Sequence, residues 1–108
     1  MSKSAPVTML VTYRPKKGKA AELQALVEKH GPTLAKTGLL SKDHPVQVWK
    51  ATDKRGHGAE EPYFVELMTW RDGEASDIAH QTPEIMAVWE PMGAVLEELK
   101  LAQLDPLD

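Results

Sequence analysis

Cysteine is absent from the chain. That excludes a disulfide framework, thiolate catalysis and every zinc or iron–sulfur site built on thiolates. An excess of positive charge is missing too, since 13 Lys+Arg stand against 16 Asp+Glu, a formal net charge of -3. Without a broad positive field to neutralise phosphates, no nucleic-acid partner is expected. No apolar run approaches the roughly 18 residues that span a bilayer, and Met1 to Pro6 has no apolar stretch behind its lysine. The expectation is a soluble cytoplasmic protein with no membrane partner and a flexible N-terminus over residues 1–6. What is present, 108 residues with 42% hydrophobic and 27% charged, suits one domain around one core, so residues 1–108 are read as a single unit.

The chain divides into periodic segments separated by glycine and proline. In Val7 to Tyr13, Val7, Met9, Val11 and Tyr13 alternate with Thr8, Leu10 and Thr12, the period of a strand, which Pro15 and Gly18 end. From Lys19 to about Lys36, Leu23, Leu26, Val27 and Leu34 recur at helical steps; Gly31 and Pro32 predict a kink and Gly38 a stop. A second strand is expected over Val46 to Ala51, and Asp53 to Pro62 (DKRGHGAEEP) reads as an exposed hairpin connection. Tyr63 to Trp70 (YFVELMTW) is a strand with apolar side chains on both faces. A short helix over Glu74 to His80 follows. Thr82 as hydroxyl N-cap, Pro83 at the first helical position and Glu84 in the first turn then open a helix expected to reach about Lys100, bent at Pro91. Leu101 to Leu107 is left as a short last strand.

The order β-α-β-β-α-β predicts an α+β, ferredoxin-like sandwich: a four-stranded antiparallel sheet with both helices on one face. The helices cover one face only, while Val7 to Tyr13 and Tyr63 to Trp70 carry apolar residues on both. A partner sheet or a bound apolar ligand is expected to cover the other.

The run Tyr63 to Pro91 (YFVELMTWRDGEASDIAHQTPEIMAVWEP) resembles the signature stretch of the antibiotic biosynthesis monooxygenase (ABM) domain family: strand, Trp, short helix, Ala-His, Thr-Pro, helix. The strand and turn of Val7 to Gly18 and the helix of Lys19 to Lys36 match as well. The resemblance implies a dimeric α+β barrel, a homodimer made through the open sheet face, with a pocket in each subunit between sheet and helices. It also implies, for enzymes of this kind, oxidation of quinols or polyketide anthrones by molecular oxygen without metal or flavin. Trp70 matches the tryptophan such proteins place beside the pocket, and His80, Thr82 and Pro83 match the Ala-His, Thr-Pro step. In the haem-degrading relatives the iron-ligating histidine would fall at about Trp89 and the distal asparagine at about Val11 or Thr12. Neither residue can do that work, so haem degradation is disfavoured. The Asn, Tyr and Arg set of the anthrone oxidases is not recognisable, because the chain contains no asparagine.

Cofactor-free oxygenation needs a deprotonated, electron-rich substrate, hence an apolar pocket with a base beside it. His80 is the candidate catalytic base, against the plainer reading of a helix-end histidine bonded to backbone. His30, Tyr13 and Glu66 are candidate substrate-binding helpers; Glu66, in mid-strand, needs a partner if buried, and is otherwise a solvated or cross-strand-paired residue. Trp70 and Trp89 can stack an aromatic ligand, with Met68, Met86 and Met92 as an adaptable wall, unless all are simply core. His44 and His57, with His30 and His80, show no metal-ligand spacing, so no metal or other cofactor is expected. Lys16, Lys17 and Lys19 read as a solvated turn, Gly56 and Gly58 form no phosphate loop, and no Ser-His-Asp pattern is present. A non-catalytic ligand binder and a purely structural barrel stand as the alternatives to an enzyme.

Overall fold

The computed structural model describes residues 5–53 and 62–107. Seven elements follow one another: β1 (Val7–Pro15), α1 (Ala20–Lys36), β2 (Gln47–Ala51), β3 (Tyr63–Trp70), α2 (Ala75–Ala79), α3 (Pro83–Val95) and β4 (Leu96–Leu104). Residues 1–4 of the expected N-terminal tail, and residues 54–61 of the expected hairpin connection with His57, Gly56 and Gly58, lie outside the described residues.

The strands form one antiparallel sheet in the order β2-β3-β1-β4. Register runs from Val7 opposite Trp70 to Tyr13 opposite Phe64, which places Val7, Met9, Val11 and Tyr13 on the same face as Phe64, Glu66, Met68 and Trp70. This face is covered by α1 and α3 and holds the core. In α1 the buried residues Leu23, Val27, His30, Gly31 and Leu34 follow the three- and four-residue steps of an amphipathic helix. They pack with Ile85, Val88 and Met92 of α3. Leu23, Leu34 and Ile85 are fully buried, and each contributes about 1.5–3 kcal/mol on leaving water. No helix among the described residues is long and apolar enough to cross a membrane.

Gly31 lies where α1 meets the segment before β2: a Cβ there would stand 3.2 Å from Val46 Cγ1. The helix continues through Pro32 to Lys36. Gly38, at φ +77°, supplies the left-handed residue that stops the helix where the sequence predicts it.

Two expectations are corrected. Helix α3 ends at Val95, and Leu96 to Lys100, expected as its last turn, is the first half of β4. The helical stripe through Leu96 and Leu99 is also compatible with a strand, and pairing decides between them: β4 bonds β1 from Thr8 opposite Leu104 to Arg14 opposite Glu98. The Val95 carbonyl accepts the Lys16 N–H at 2.8 Å, which fixes the point of departure. Thr82, expected as a hydroxyl cap of α3, instead donates its hydroxyl to the Ile78 carbonyl at 2.8 Å. It closes the end of α2, while its own carbonyl accepts the Ile85 and Met86 N–H groups at 3.0 Å.

Candidate functional site

Between the covered sheet face and the helices lies a cavity of about 290 Å³. Strand β1 contributes Met9, Val11 and Tyr13 to its floor, β3 contributes Met68 and Trp70, and β4 contributes Leu99 and Leu101. The roof is His30 of α1, Ser76 beside His80 at the end of α2, and Trp89, Met92 and Gly93 of α3. The wall is chiefly apolar, as a site for a small hydrophobic ligand must be. It opens toward β4, where Leu99 and Leu101 remain 47% and 63% exposed.

At the closed end the wall carries a buried polar chain. Glu66 is fully buried on β3, because Val11, directly opposite on β1, faces the same core. A carboxylate in such a place must be bonded. The Tyr13 hydroxyl donates to Glu66 Oε1 at 2.7 Å. His30 Nδ1 lies 2.9 Å from Oε1 and 3.0 Å from Oε2. On its other side, the Trp89 indole N–H donates to His30 Nε2 at 2.7 Å. An indole can only donate, so Nε2 holds a lone pair and the imidazole proton is on Nδ1, aimed at Glu66. The chain therefore reads Trp89 to His30 to Glu66, with Tyr13 joining at the carboxylate, and among the described residues no buried side-chain nitrogen or oxygen is left without a partner. Burial, and then the adjacent Glu66 charge, push the Tyr13 phenol far above the ordinary tyrosine range, so its proton stays on oxygen.

His80 stands at the cavity lip and is exposed. Its Nδ1 donates to the Ser76 carbonyl at 2.8 Å, the backbone bond of a helix-end histidine, which leaves its acceptor lone pair on Nε2. The imidazole packs on Trp89, ring centroids 4.8 Å apart, and the His30 ring lies 5.9 Å from the same indole. Trp89 thus touches both histidines.

Of the residues singled out from sequence, Trp70, Trp89, Tyr13, Met68, Met92, His30 and His80 all line the cavity. Glu66 stands behind the wall and acts on it through His30 and Tyr13. Met86 is not among the lining residues, and His44 is remote, bonded through Nδ1 to the Ser41 hydroxyl at 2.9 Å. Sequence reasoning missed Met9, Val11, Leu99 and Leu101 as wall residues. The first two are visible in the β1 alternation; Leu99 is hidden by its assignment to a helix, and Leu101, expected in the last strand, by the register that sets it opposite Val11. Among the described residues no group of three or more His, Asp or Glu side chains is placed to hold a metal ion.

No protein-family model and no curated protein matches the chain. Solved structures do. Rv0793 from Mycobacterium tuberculosis superposes with a TM-score of 0.74 at 17% identity, over 96% of this chain and 97% of that one. A point mutant of SnoaB from Streptomyces nogalater, a cofactor-independent oxygenase, gives 0.71 at 13% identity over 95% and 94%. A protein described as an antibiotic biosynthesis monooxygenase gives 0.70 at 14% identity over 94% and 99%. The chain has the fold of the antibiotic biosynthesis monooxygenases. The expected α+β sandwich, with its four-stranded antiparallel sheet, is therefore found.

Proposed function

We propose that the protein binds a small hydrophobic aromatic or quinol-type molecule in the cavity and oxygenates it with molecular oxygen, using neither metal nor flavin, as a homodimer assembled through the open sheet face. One observation carries the reading: an apolar cavity of about 290 Å³ has histidine nitrogens at its wall. Oxygenation without a cofactor begins when a quinol or enol loses its proton and becomes able to reduce oxygen by one electron. Two histidines stand where such a proton could go, His80 at the lip and His30 at the buried end. Trp70 and Trp89 line the cavity with rings against which an aromatic ligand can pack, and Met68 and Met92 give a wall that adjusts to its outline. The ABM fold is shared with SnoaB, a cofactor-independent oxygenase, which agrees with this chemistry.

A second reading, a binder without turnover, is favoured by the complete pairing of the buried polar atoms. One pair of measurements separates them. With anthrone or a naphthohydroquinone, the enzyme quenches tryptophan emission and consumes oxygen above the spontaneous rate. Quenching with no added oxygen uptake assigns a binder. A flat emission titration across a panel of aromatic ligands removes both readings.

A further inference from the structure

We propose that the cavity selects its ligand by a phenolic or enolic hydroxyl that inserts between the Trp89 indole and the His30 imidazole, donating its hydrogen to His30 Nε2 and accepting one from Trp89 Nε1. The inference rests on the reading above that the cavity takes a small aromatic molecule; it adds the chemical group that is recognised, the point of recognition and the base.

Hydrogen-bonding side chains at the wall are few. The Tyr13 hydroxyl is committed to Glu66, and the His80 Nδ1–H to the Ser76 carbonyl. The bond from Trp89 Nε1 to His30 Nε2 is different in kind. It joins two side chains that both line the cavity, one on α3 and one on α1. Its acceptor is fixed and its donor is not: His30 is 3% exposed and held at Nδ1 by both Glu66 oxygens, whereas Trp89 is only half-buried, beside the lip histidine. The indole is the partner that can tilt away.

When it does, an Nε2 lone pair and an N–H face the same gap. A hydroxyl is at once donor and acceptor, so it satisfies both. A ketone or an ether accepts from Trp89 but leaves Nε2 unpaired in an apolar wall, and a carboxylate sets negative charge against the lone pair. The same geometry moves the proton. The ligand O–H bond breaks with its electron pair left on oxygen, and the proton forms a bond to Nε2. His30, now an imidazolium, keeps its Nδ1–H on the Glu66 carboxylate and presents its Nε2–H to the new oxyanion. Trp89 Nε1–H is the oxyanion's second donor. Net charge is unchanged. His30 and Trp89 touch the ligand and are the catalytic pair; Glu66 and Tyr13 position His30.

The test uses 4-nitrophenol and its methyl ether, 4-nitroanisole, whose rings match and whose hydroxyl alone differs. Calorimetric titration of the full chain is expected to favour the phenol by about ten- to a hundredfold in Kd. Bound 4-nitrophenol is expected to show the phenolate absorption band at a pH where the free compound is protonated. Trp89→Phe keeps a ring and removes the N–H: preference for the phenol persists and the phenolate band weakens. His30→Gln can accept a hydrogen bond but cannot take the proton, so the band disappears. Equal affinity for the two probes overturns the insertion while leaving an aromatic-binding cavity. An undiminished phenolate band in His30→Gln also overturns it. Binding of neither probe removes the cavity reading along with this one.

Discussion

On the helix-covered face of the sheet, Val11 and Tyr13 of β1 and Phe64, Glu66 and Met68 of β3 are all buried; on the other face, Leu10, Thr12, Val65 and Leu67 of the same two strands are only half-covered. Both faces alternate with the same period, and both are largely apolar at their centre. They differ in where polar groups stand. The covered face hides the Glu66 carboxylate completely and bonds it to Tyr13 and His30. On the open face Arg14 meets Glu98 at 3.5 Å and lies 4.0 Å over the Tyr63 ring, and Trp49 and Leu104 are 49% and 42% exposed. Apolar pattern therefore does not tell the core face from the open face. The burial of Glu66 does, because the helices that seal its face take a carboxylate out of water.

The largest expected effect lies at that carboxylate. Glu66→Ala leaves the His30 Nδ1–H and the Tyr13 hydroxyl unpaired in a dry wall and opens a void beside them. A cost of about 3–5 kcal/mol in urea unfolding is expected, a large share of the roughly 5–15 kcal/mol that holds a domain of this size. A loss below about 1 kcal/mol, typical of a solvated position, would mean that water reaches the closed end and that the contrast between the faces is not one of desolvation.

Much of this was legible beforehand, and the particular failures have physical causes. The β1 and β3 alternation, the α1 stripe and the Gly38 stop are local signals, and they place the sheet, the covering helix and its end. Glu66 was readable as a conditional: buried in mid-strand, it needs a partner. Its partners were not, because Tyr13 and His30 are 53 and 36 residues away in the chain and meet it only through antiparallel register and helix docking. The α3–β4 boundary was misplaced because Leu96 and Leu99 satisfy a helical period as well as an extended pairing, and the choice belongs to β1. With that boundary went Leu99, at the mouth of the cavity.

A smaller effect sharpens the covered face by pH. Tyr13→Phe removes one donor to the buried carboxylate and is expected to cost about 1.5–3 kcal/mol near neutrality. Burial and the Glu66 charge hold the phenol protonated in the folded chain well above the ordinary tyrosine value, whereas in the unfolded chain it ionises near about 10. The folded state then binds the extra proton. Its stability is fully present below about pH 10 and declines as pH rises, by about 1.4 kcal/mol per unit. The variant lacks this decline, so the gap between it and the parent chain narrows by that amount above pH 10. Tyr63, whose phenol is raised by its bond to Asp53, adds an alkaline slope to both and does not alter the difference. A gap of constant width across pH 9 to 11 would show that Tyr13 titrates normally and that its surroundings are wet.

The smallest effect on folding, and the most informative about the other face, comes from Leu67→Lys. Leu67 lies mid-way along β3 on the open face, with Leu10 opposite on β1 and Gln47 opposite on β2. In a lone subunit the longer side chain can lay its methylenes along the sheet and keep its ammonium in water, so stability changes by less than about 1 kcal/mol. In the proposed homodimer the same position faces a second sheet, where an ammonium group would be stripped of water. Light scattering on the parent chain is expected to give twice the 12.0 kDa subunit mass, and on the variant the subunit mass itself, with circular dichroism unchanged. A parent chain already at the subunit mass, or a variant that remains a dimer, would mean that the half-covered leucines and valine of this face meet water rather than a second sheet, and the two faces would then differ in degree of burial alone.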